Sequence, residues 1–278
     1  MVQCLGGKLV DMNRDLIDNS SKFLESAQEF ENELLKYEQI DLNVKHFYIN
    51  GMYAREITIP KGAMITSRVH AYGYVDIMIS GDITIITDAG KSSYSGYNLF
   101  EGFAGKKRVG LAHTEVKWIT IHNVPNRDDA SENFYDKLTY DSVDSYSEFA
   151  KEQNKISYEK ALEVIGVSAD TVDEQSKNTK DIDTTTDSKF SLDNSTIDGF
   201  GLFSKEFYNA GDVIGCARKD GLRTILGRKV NHSYNPNLLA EERDGDIVFI
   251  ASRLIRMGDE LFNDYIQTRL MSKGKGEL

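Results

Sequence analysis

Two cysteines, Cys4 and Cys216, are all that the 278 residues contain. A pair so far apart suits neither a disulfide framework nor the spaced ligand sets of a zinc module. A reducing, cytoplasmic setting is therefore the default expectation. Also missing is any run of about 18 apolar residues that could cross a membrane as a helix. The opening MVQCLGGKLVDMNRD has only a short apolar patch and turns charged at once, so no signal peptide is expected. No basic stripe runs along a helical stretch, and no internal repeat is visible. The net charge is −11, and from Ser188 onward thirteen basic residues balance thirteen acidic ones, so the excess acid lies in residues 1–187. Such a field repels phosphate, which argues against nucleic acid or an anionic membrane as partner.

What is there is an ordinary globular composition, 40% hydrophobic and 28% charged, enough for one large core or two small ones. Residues 12–38 read as an amphipathic helix. Leu16, Phe23, Ala27, Phe30, Leu34 and Tyr37 recur three or four apart, with Asp18, Lys22, Glu25, Glu29 and Glu33 between them. That face either packs on its own domain or pairs with another chain in a homo-oligomer.

From residue 47 to 124 the period changes to two. Short runs rich in Ile, Val, Tyr and Thr are separated by turn signals at Pro60-Lys61-Gly62, Ser80-Gly81-Asp82, Asp88-Ala89-Gly90 and Ala104-Gly105. Many short strands without intervening helices predict a sandwich or barrel. Two short helices are expected near residues 145–153 and 157–165, closed by Gly166. Residues 168–189 are polar and hold only Val172 and Ile182 as larger aliphatics, which predicts a flexible linker.

Three motifs follow within about 70 residues. The first is Gly199-Phe200-Gly201-Leu202-Phe203. The second is Asn231-His232-Ser233-Tyr234-Asn235-Pro236-Asn237. The third is Gly258-Asp259-Glu260-Leu261, ending in Asp264-Tyr265. Glycines without side chains let backbone approach a bulky ligand. A mainly polar cluster such as the second is costly to bury unless its groups are satisfied. Singly the motifs are weak; in this order they resemble the GxGLF, NHSxxPN and GDELxxDY signatures of SET domains.

The resemblance covers residues 190–269 and implies a small β-rich fold with a pseudoknot. It implies binding of S-adenosyl-L-methionine by Gly199, Phe200, Gly201, Leu202, Asn231 and His232, and a catalytic tyrosine at Tyr265. The implied reaction is methyl transfer to the lysine side chain of a protein substrate, which requires a neutral amine. The linker lysines Lys177 and Lys180 are reachable candidates for self-methylation.

The chain departs from the family between Gly215 and Gly227. There the family places further strands and often another active-site tyrosine, while this chain offers Arg218, Lys219 and Arg223. Tyr208 and Tyr234 are the tyrosines that could substitute. Asn263 stands where the family usually carries an aromatic or aliphatic residue that affects the degree of methylation.

Upstream, residues 57–122 resemble a cupin, a double-stranded β-helix. The carrying residues are Pro60–Gly62, His70-Ala71-Tyr72 before Asp76, Ile79-Ser80-Gly81-Asp82 and Gly102 to Arg108. A metal-binding cupin would show more histidine. Here the positions read His70, Tyr72, Asp76 and Arg108, and a cationic arginine opposes a metal, so no metal is expected. His113 is the residue that could reach inward, while His46 and His122 read as ordinary strand-end residues. Trp118 reads as core.

The pairing of the two folds resembles proteins of bacteriophages and their bacterial relatives, which implies a host-cytoplasmic or virion location. The expected organisation is mainly β: a helix over 1–40, a cupin-like barrel over 41–126, a helical extension over 127–167, a linker over 168–189 and a SET domain over 190–270. The first functional expectation is a protein lysine methyltransferase whose barrel recruits substrate or builds an oligomer. The alternative is a structural or virion assembly protein with a non-catalytic SET module.

Overall fold

In the first half of the chain the period of two becomes β-sheet almost without interruption. The computed structural model describes residues 2–5, 23–49, 51–123, 134–177, 182–183 and 189–272. They divide into two compact units, Met1–Ala150 and Lys151–Leu278. Among the described residues no helix is long and apolar enough to cross a membrane.

The first unit contains β1 (Val2–Leu5), α1 (Phe23–Leu34), β2 (Lys45–Ile49), β3 (Met52–Ile59), β4 (Ala63–Thr66), β5 (Val69–His70), β6 (Tyr74–Ser80) and β7 (Asp82–Thr87). There follow β8 (Gly90–Ser95), β9 (Asn98–Gly102), β10 (Val109–Ala112), β11 (Val116–Asn123), α2 (Phe134–Leu138) and β12 (Thr139–Tyr140). Two five-stranded sheets form, in the orders β1-β4-β10-β7-β8 and β2-β3-β11-β6-β9. Among the described residues every pairing in them is antiparallel. The alternation in β3 and β11 sends Ile57, Ile59, Val116 and Trp118 inward to meet Met78, Ile83, Ile85 and Ala112, so both sheets share one core. This is the two-sheet barrel that the alternation predicts, and the four expected turns fall between its strands.

Helix α1 ends earlier than the periodicity suggests. It spans Phe23–Leu34; Tyr37 lies beyond it and is exposed, and residues 12–22 lie outside the described residues. Its apolar face is covered by its own unit: Phe23 and Ala27 pack with Ile86 and Val109, and Leu34 with Met64. Glu31 on the same face is buried, pairs with the fully buried ammonium of Lys107 and accepts a hydrogen bond from Thr66 Oγ1 at 3.1 Å.

Helix α3 (Val143–Ile165) is one continuous helix where two short ones are expected. Neither proline nor glycine interrupts it, and Asn154, a poor mid-helix residue, is retained by an external partner described below. Ser142 and Ser145 exchange hydrogen bonds at its start, and Gly166 closes it at φ +81 as expected.

The linker expectation fails over Ala169–Lys177, which is helix α4. Ser168 Oγ accepts the Thr171 N–H at 3.1 Å, and Asp173 pairs with Lys177 one turn on. Cap and ion pair supply locally what the apolar composition does not. Two further residues of the segment, β13 (Ile182–Asp183), join a sheet. Residues 178–181 and 184–188, Lys180 among them, lie outside the described residues.

The second unit continues with β14 (Phe190–Asn194), β15 (Phe200–Ser204), β16 (Val213–Lys219), β17 (Leu222–Thr224), α5 (Ile225–Lys229), β18 (Asn231–His232), β19 (Leu238–Arg243), β20 (Asp246–Ala251), β21 (Phe262–Asn263) and α6 (Tyr265–Ser272). Its main sheet has the order β13-β17-β16-β20-β19. Leu202, Ile214, Leu238, Ile247, Phe249, Ile255 and Leu261 form the core.

The chain just before α6 is gripped from two sides. On one, Leu261 N–H donates to the Leu202 carbonyl and Ser204 N–H to that of Asp259. On the other, β21 runs parallel to β18, and the buried Asn237 side chain donates to the Glu260 carbonyl at 2.8 Å and accepts from Phe262 N–H at 2.7 Å. Arg253 fastens the loop by binding the Asn235 and Pro236 carbonyls. A late segment held by the 231–237 loop is the pseudoknot geometry that the motifs imply.

Candidate active site

The three motifs meet because Glu260 sits at their junction. Its buried carboxylate accepts from Ser195 Oγ at 2.6 Å and from the N–H and Oγ1 of Thr196 at 3.0 and 2.9 Å. Asn231 Nδ2 lies 3.3 Å from the same carboxylate, 3.0 Å from Ser195 Oγ and 3.3 Å from the Phe200 carbonyl. A Cβ on Gly201 would stand 2.1 Å from Glu260 Oε1, so a side chain there would have to displace that hydrogen-bonded carboxylate. Gly199 is needed for a different reason: its φ of +54 lies in the left-handed region, and no atom would obstruct a Cβ there.

His232 is the second junction. Tyr265 N–H donates to its Nδ1 at 3.1 Å, so the proton of the neutral ring is on Nε2, which faces Ser157 Oγ at 2.7 Å. Burial holds this imidazole below its ordinary range, against the opposing pull of Asp264. The Tyr265 hydroxyl donates to the Val230 carbonyl at 3.3 Å, and burial raises its pKa, so it stays a neutral phenol. Asp264 accepts Ile266 N–H at 2.9 Å and starts α6, which fixes Tyr265 at the first helical position.

These groups line a groove of about 820 Å³ in the second unit. Gly199, Phe200, Asn231, His232 and Tyr265 all reach it. Gly201 and Leu202 do not: Gly201 faces Glu260, and Leu202, 1% exposed, belongs to the core. The opposite wall comes from outside the expected 190–270 span. Helix α3 supplies Tyr158, whose ring meets that of Tyr265 edge-on at 6.2 Å. One turn earlier Asn154 Oδ1 accepts from Ser233 Oγ at 2.9 Å and Tyr234 N–H at 3.0 Å. Tyr208, one of the two expected substitutes, is buried with its hydroxyl donating to Glu206, and neither it nor Tyr234 lines the groove. The sequence held one hint of Tyr158, its place on the apolar face of a helix, and that signal reads equally well as packing.

The SET domain family model matches residues 50–266. The chain belongs to the SET domain family. No curated protein matches it. Solved structures similar to part of this SET protein include a cupin-2 domain containing protein from Shewanella frigidimarina, at 12% identity and a TM-score of 0.27 over 34% of this chain and 91% of that one. A cupin superfamily protein from Desulfitobacterium hafniense matches at 12% identity and 0.26, over 33% and 85%. The EutQ protein of Clostridium difficile matches at 16% identity and 0.26, over 31% and 76%.

The barrel of this SET protein encloses a separate small cavity lined by His70, Tyr74, Asp76, Arg108, Thr120 and Tyr135 among others. Arg108 pairs with Asp76, whose other oxygen accepts from Thr120 Oγ1 at 2.6 Å. His113, the residue that could reach inward, meets Thr84 Oγ1 at 2.7 Å. His122 is not the ordinary strand-end residue that it reads as. It is 1% exposed and stacks on His70, ring centroids 5.1 Å apart at 13°. Tyr72 is exposed. The reason is register: His122 sits opposite Tyr53 on β3 and Tyr74 on β6, facing inward with Trp118 and Thr120.

Proposed function

We propose that this protein is an S-adenosyl-L-methionine-dependent protein lysine N-methyltransferase. The observation that carries the reading is the meeting of Tyr265, His232, Asn231 and the Gly199–Phe200 backbone on one groove of a SET family chain. The groove also has a group in want of a ligand. Asn263 lines it, is 5% exposed, and holds its Oδ1 buried with no hydrogen-bond partner. Such an acceptor is costly unless something donates to it, and an amine N–H fits that need.

Gly199, Phe200, Asn231 and His232 would hold the cofactor. When bound, S-adenosyl-L-methionine supplies an electrophilic methyl group on a sulfonium, which leaves as a neutral thioether. The chain's own part is placement. The Glu260 and Asn231 network fixes the Phe200 carbonyl. His232, held as one tautomer, fixes the backbone of Tyr265. The phenol, kept neutral by burial, offers lone pairs to a lysine amine and orients its nitrogen. Tyr158 walls the groove and excludes water, which favours the uncharged, nucleophilic amine.

The test is transfer of labelled methyl to lysine peptides. Tyr265→Phe should lower the rate about 100-fold by loss of orientation while leaving cofactor affinity intact. Equal rates in the two proteins would contradict the role given to Tyr265.

In this reading the first unit brings copies together. Its edge strand β2 is exposed along its whole length and carries Phe47, Tyr48 and Ile49, an apolar strand edge of the kind that pairs with a second copy. Sedimentation should give a dimer or larger species, reduced to monomer by Ile49→Lys.

A further inference from the structure

One buried charge in the first unit has no counter-charge among the described residues. Arg68 pairs with Asp136 and Asp141, and Arg108 with Asp76. Arg55, 7% exposed, pairs with no carboxylate among the described residues and lies over the Tyr135 ring, 4.5 Å from its centroid. Register turns it inward. Thr120 on β11 stands opposite Arg55 on β3 and Asp76 on β6, and the alternation of β3 puts Arg55 on the side of Ile57 and Ile59. A buried charge left unpaired is costly, so the position calls for an anion from outside the chain.

Thr120 and Tyr135, the neighbours of Arg55, both line the barrel cavity. Two groups of that lining have unused hydrogen-bonding capacity. Arg108 gives one N–H to Asp76 and one to the Glu101 carbonyl at 3.3 Å, which leaves three of its five. His70 holds Nδ1 buried without a partner. Burial, and then His122, Arg108, Arg55 and Arg68, keep its ring neutral, so the field of Arg55 reaches this wall. Most of the remaining lining is apolar, with Ile57, Ile65, Ile83, Ile85 and Trp118. The cavity measures about 60 Å³. At roughly 10–15 Å³ for each water-sized group it takes about four to six heavy atoms.

We propose that the barrel binds a short aliphatic carboxylate, its oxygens toward Arg108 and His70 in the field of Arg55 and its carbon chain against the isoleucines and Trp118. The site is separate from the groove of the second unit and does not depend on the methyltransferase reading. A nucleotide exceeds the room. An ammonium of similar size meets the field with the wrong sign. A neutral amide of the same shape fits the room but offsets no charge.

The probe is butyrate, titrated at neutral pH into the full-length protein, with butyramide and butylammonium as the neutral and cationic counterparts. The readout is the fluorescence of Trp118, the chain's one tryptophan and part of the cavity wall. Butyrate should saturate at about 0.1–1 mM, about tenfold tighter than butyramide, and butylammonium should not bind. Arg55→Met should lower butyrate affinity about tenfold and leave butyramide unchanged, so that the preference for charge disappears. Arg55→Lys, which keeps the charge without the planar fork, should retain part of that preference. Gly110→Ala adds a methyl to the lining, 3.1 Å from Ile65 Cγ1 and 3.2 Å from Ile83 Cδ1, and should weaken butyrate and butyramide alike. No saturable binding of butyrate, or equal affinity for butyrate and butyramide, overturns the proposal. So does an unchanged preference for charge in an Arg55→Met protein that urea denaturation shows to be folded. Chloride or phosphate that displaces butyrate at equal concentration overturns it too, because the site would then read charge alone.

Discussion

Lowering the pH should unfold the first unit through two histidines. His70 and His122 are 4% and 1% exposed, stack nearly parallel, and have three ring nitrogens between them buried without a hydrogen-bond partner. Burial lowers His122 to about 4. Burial, and then His122, Arg108, Arg55 and Arg68, hold His70 well below the usual range. The free imidazole titrates near 6.5, so between 6.5 and 4 the unfolded chain binds a proton that the folded one refuses. Stability is therefore full above about 6.5, falls as pH drops through the window, and levels below the folded pKa. The slope is about 1.4 kcal/mol per pH unit for each histidine, so His122 alone removes about 2 kcal/mol by pH 5 and about 3 kcal/mol by pH 4. The chain's one tryptophan, Trp118, is in this unit, 8% exposed and stacked on Phe100. Its fluorescence during urea denaturation reports this unit. His122→Phe keeps a flat ring against His70 but cannot titrate, and should reduce the loss between pH 7 and 5 by about 2 kcal/mol. The same loss in wild type and variant would refute the reasoning.

Gly201→Ala should destabilise the second unit by roughly 2 kcal/mol or more, because its Cβ would sit 2.1 Å from Glu260 Oε1; calorimetric unfolding checks this, and a neutral result would show that the Glu260 network is not tightly held. Removing one partner of the buried Lys107–Glu31 pair, as in Lys107→Met, should cost about 3–5 kcal/mol, while Glu31→Leu with Lys107→Met should recover most of it; urea denaturation of the three variants decides. Asn154→Ala strips Ser233 Oγ and the Tyr234 N–H of their acceptor and should lower both cofactor affinity and thermal stability, with about 1–3 kcal/mol lost for the groups left unsatisfied.

Much of the site is legible in the sequence because its residues are contiguous. Asn231 to Asn237 form one loop, and four polar side chains in it have partners far away in the sequence: Glu260 for Asn231, Ser157 for His232, Asn154 for Ser233 and the 260–262 backbone for Asn237. Gly201 shows the limit of motif reading. Its lack of a side chain suggests contact with a ligand, whereas the space is filled by a carboxylate 59 positions later. The alternation over residues 47–124 determines which side chains point inward, and it extends to the strand-end residue His122, whose inward position follows from Trp118 and Thr120 on the same face. Helices α3 and α4 depart from the composition of their segments because local chemistry outweighs it: no breaker interrupts the first, and a serine cap with an ion pair starts and fastens the second. The contribution of α3 to the groove depends on tertiary contacts, and nothing local encodes them.

The most direct test of the account is calorimetric titration of the purified protein with S-adenosyl-L-methionine. The wild type should bind near stoichiometrically with micromolar affinity, Tyr265→Phe should bind as well, and Asn231→Ala, which unties Phe200 from Glu260, should not. No heat of binding from a folded wild-type protein would contradict the central claim.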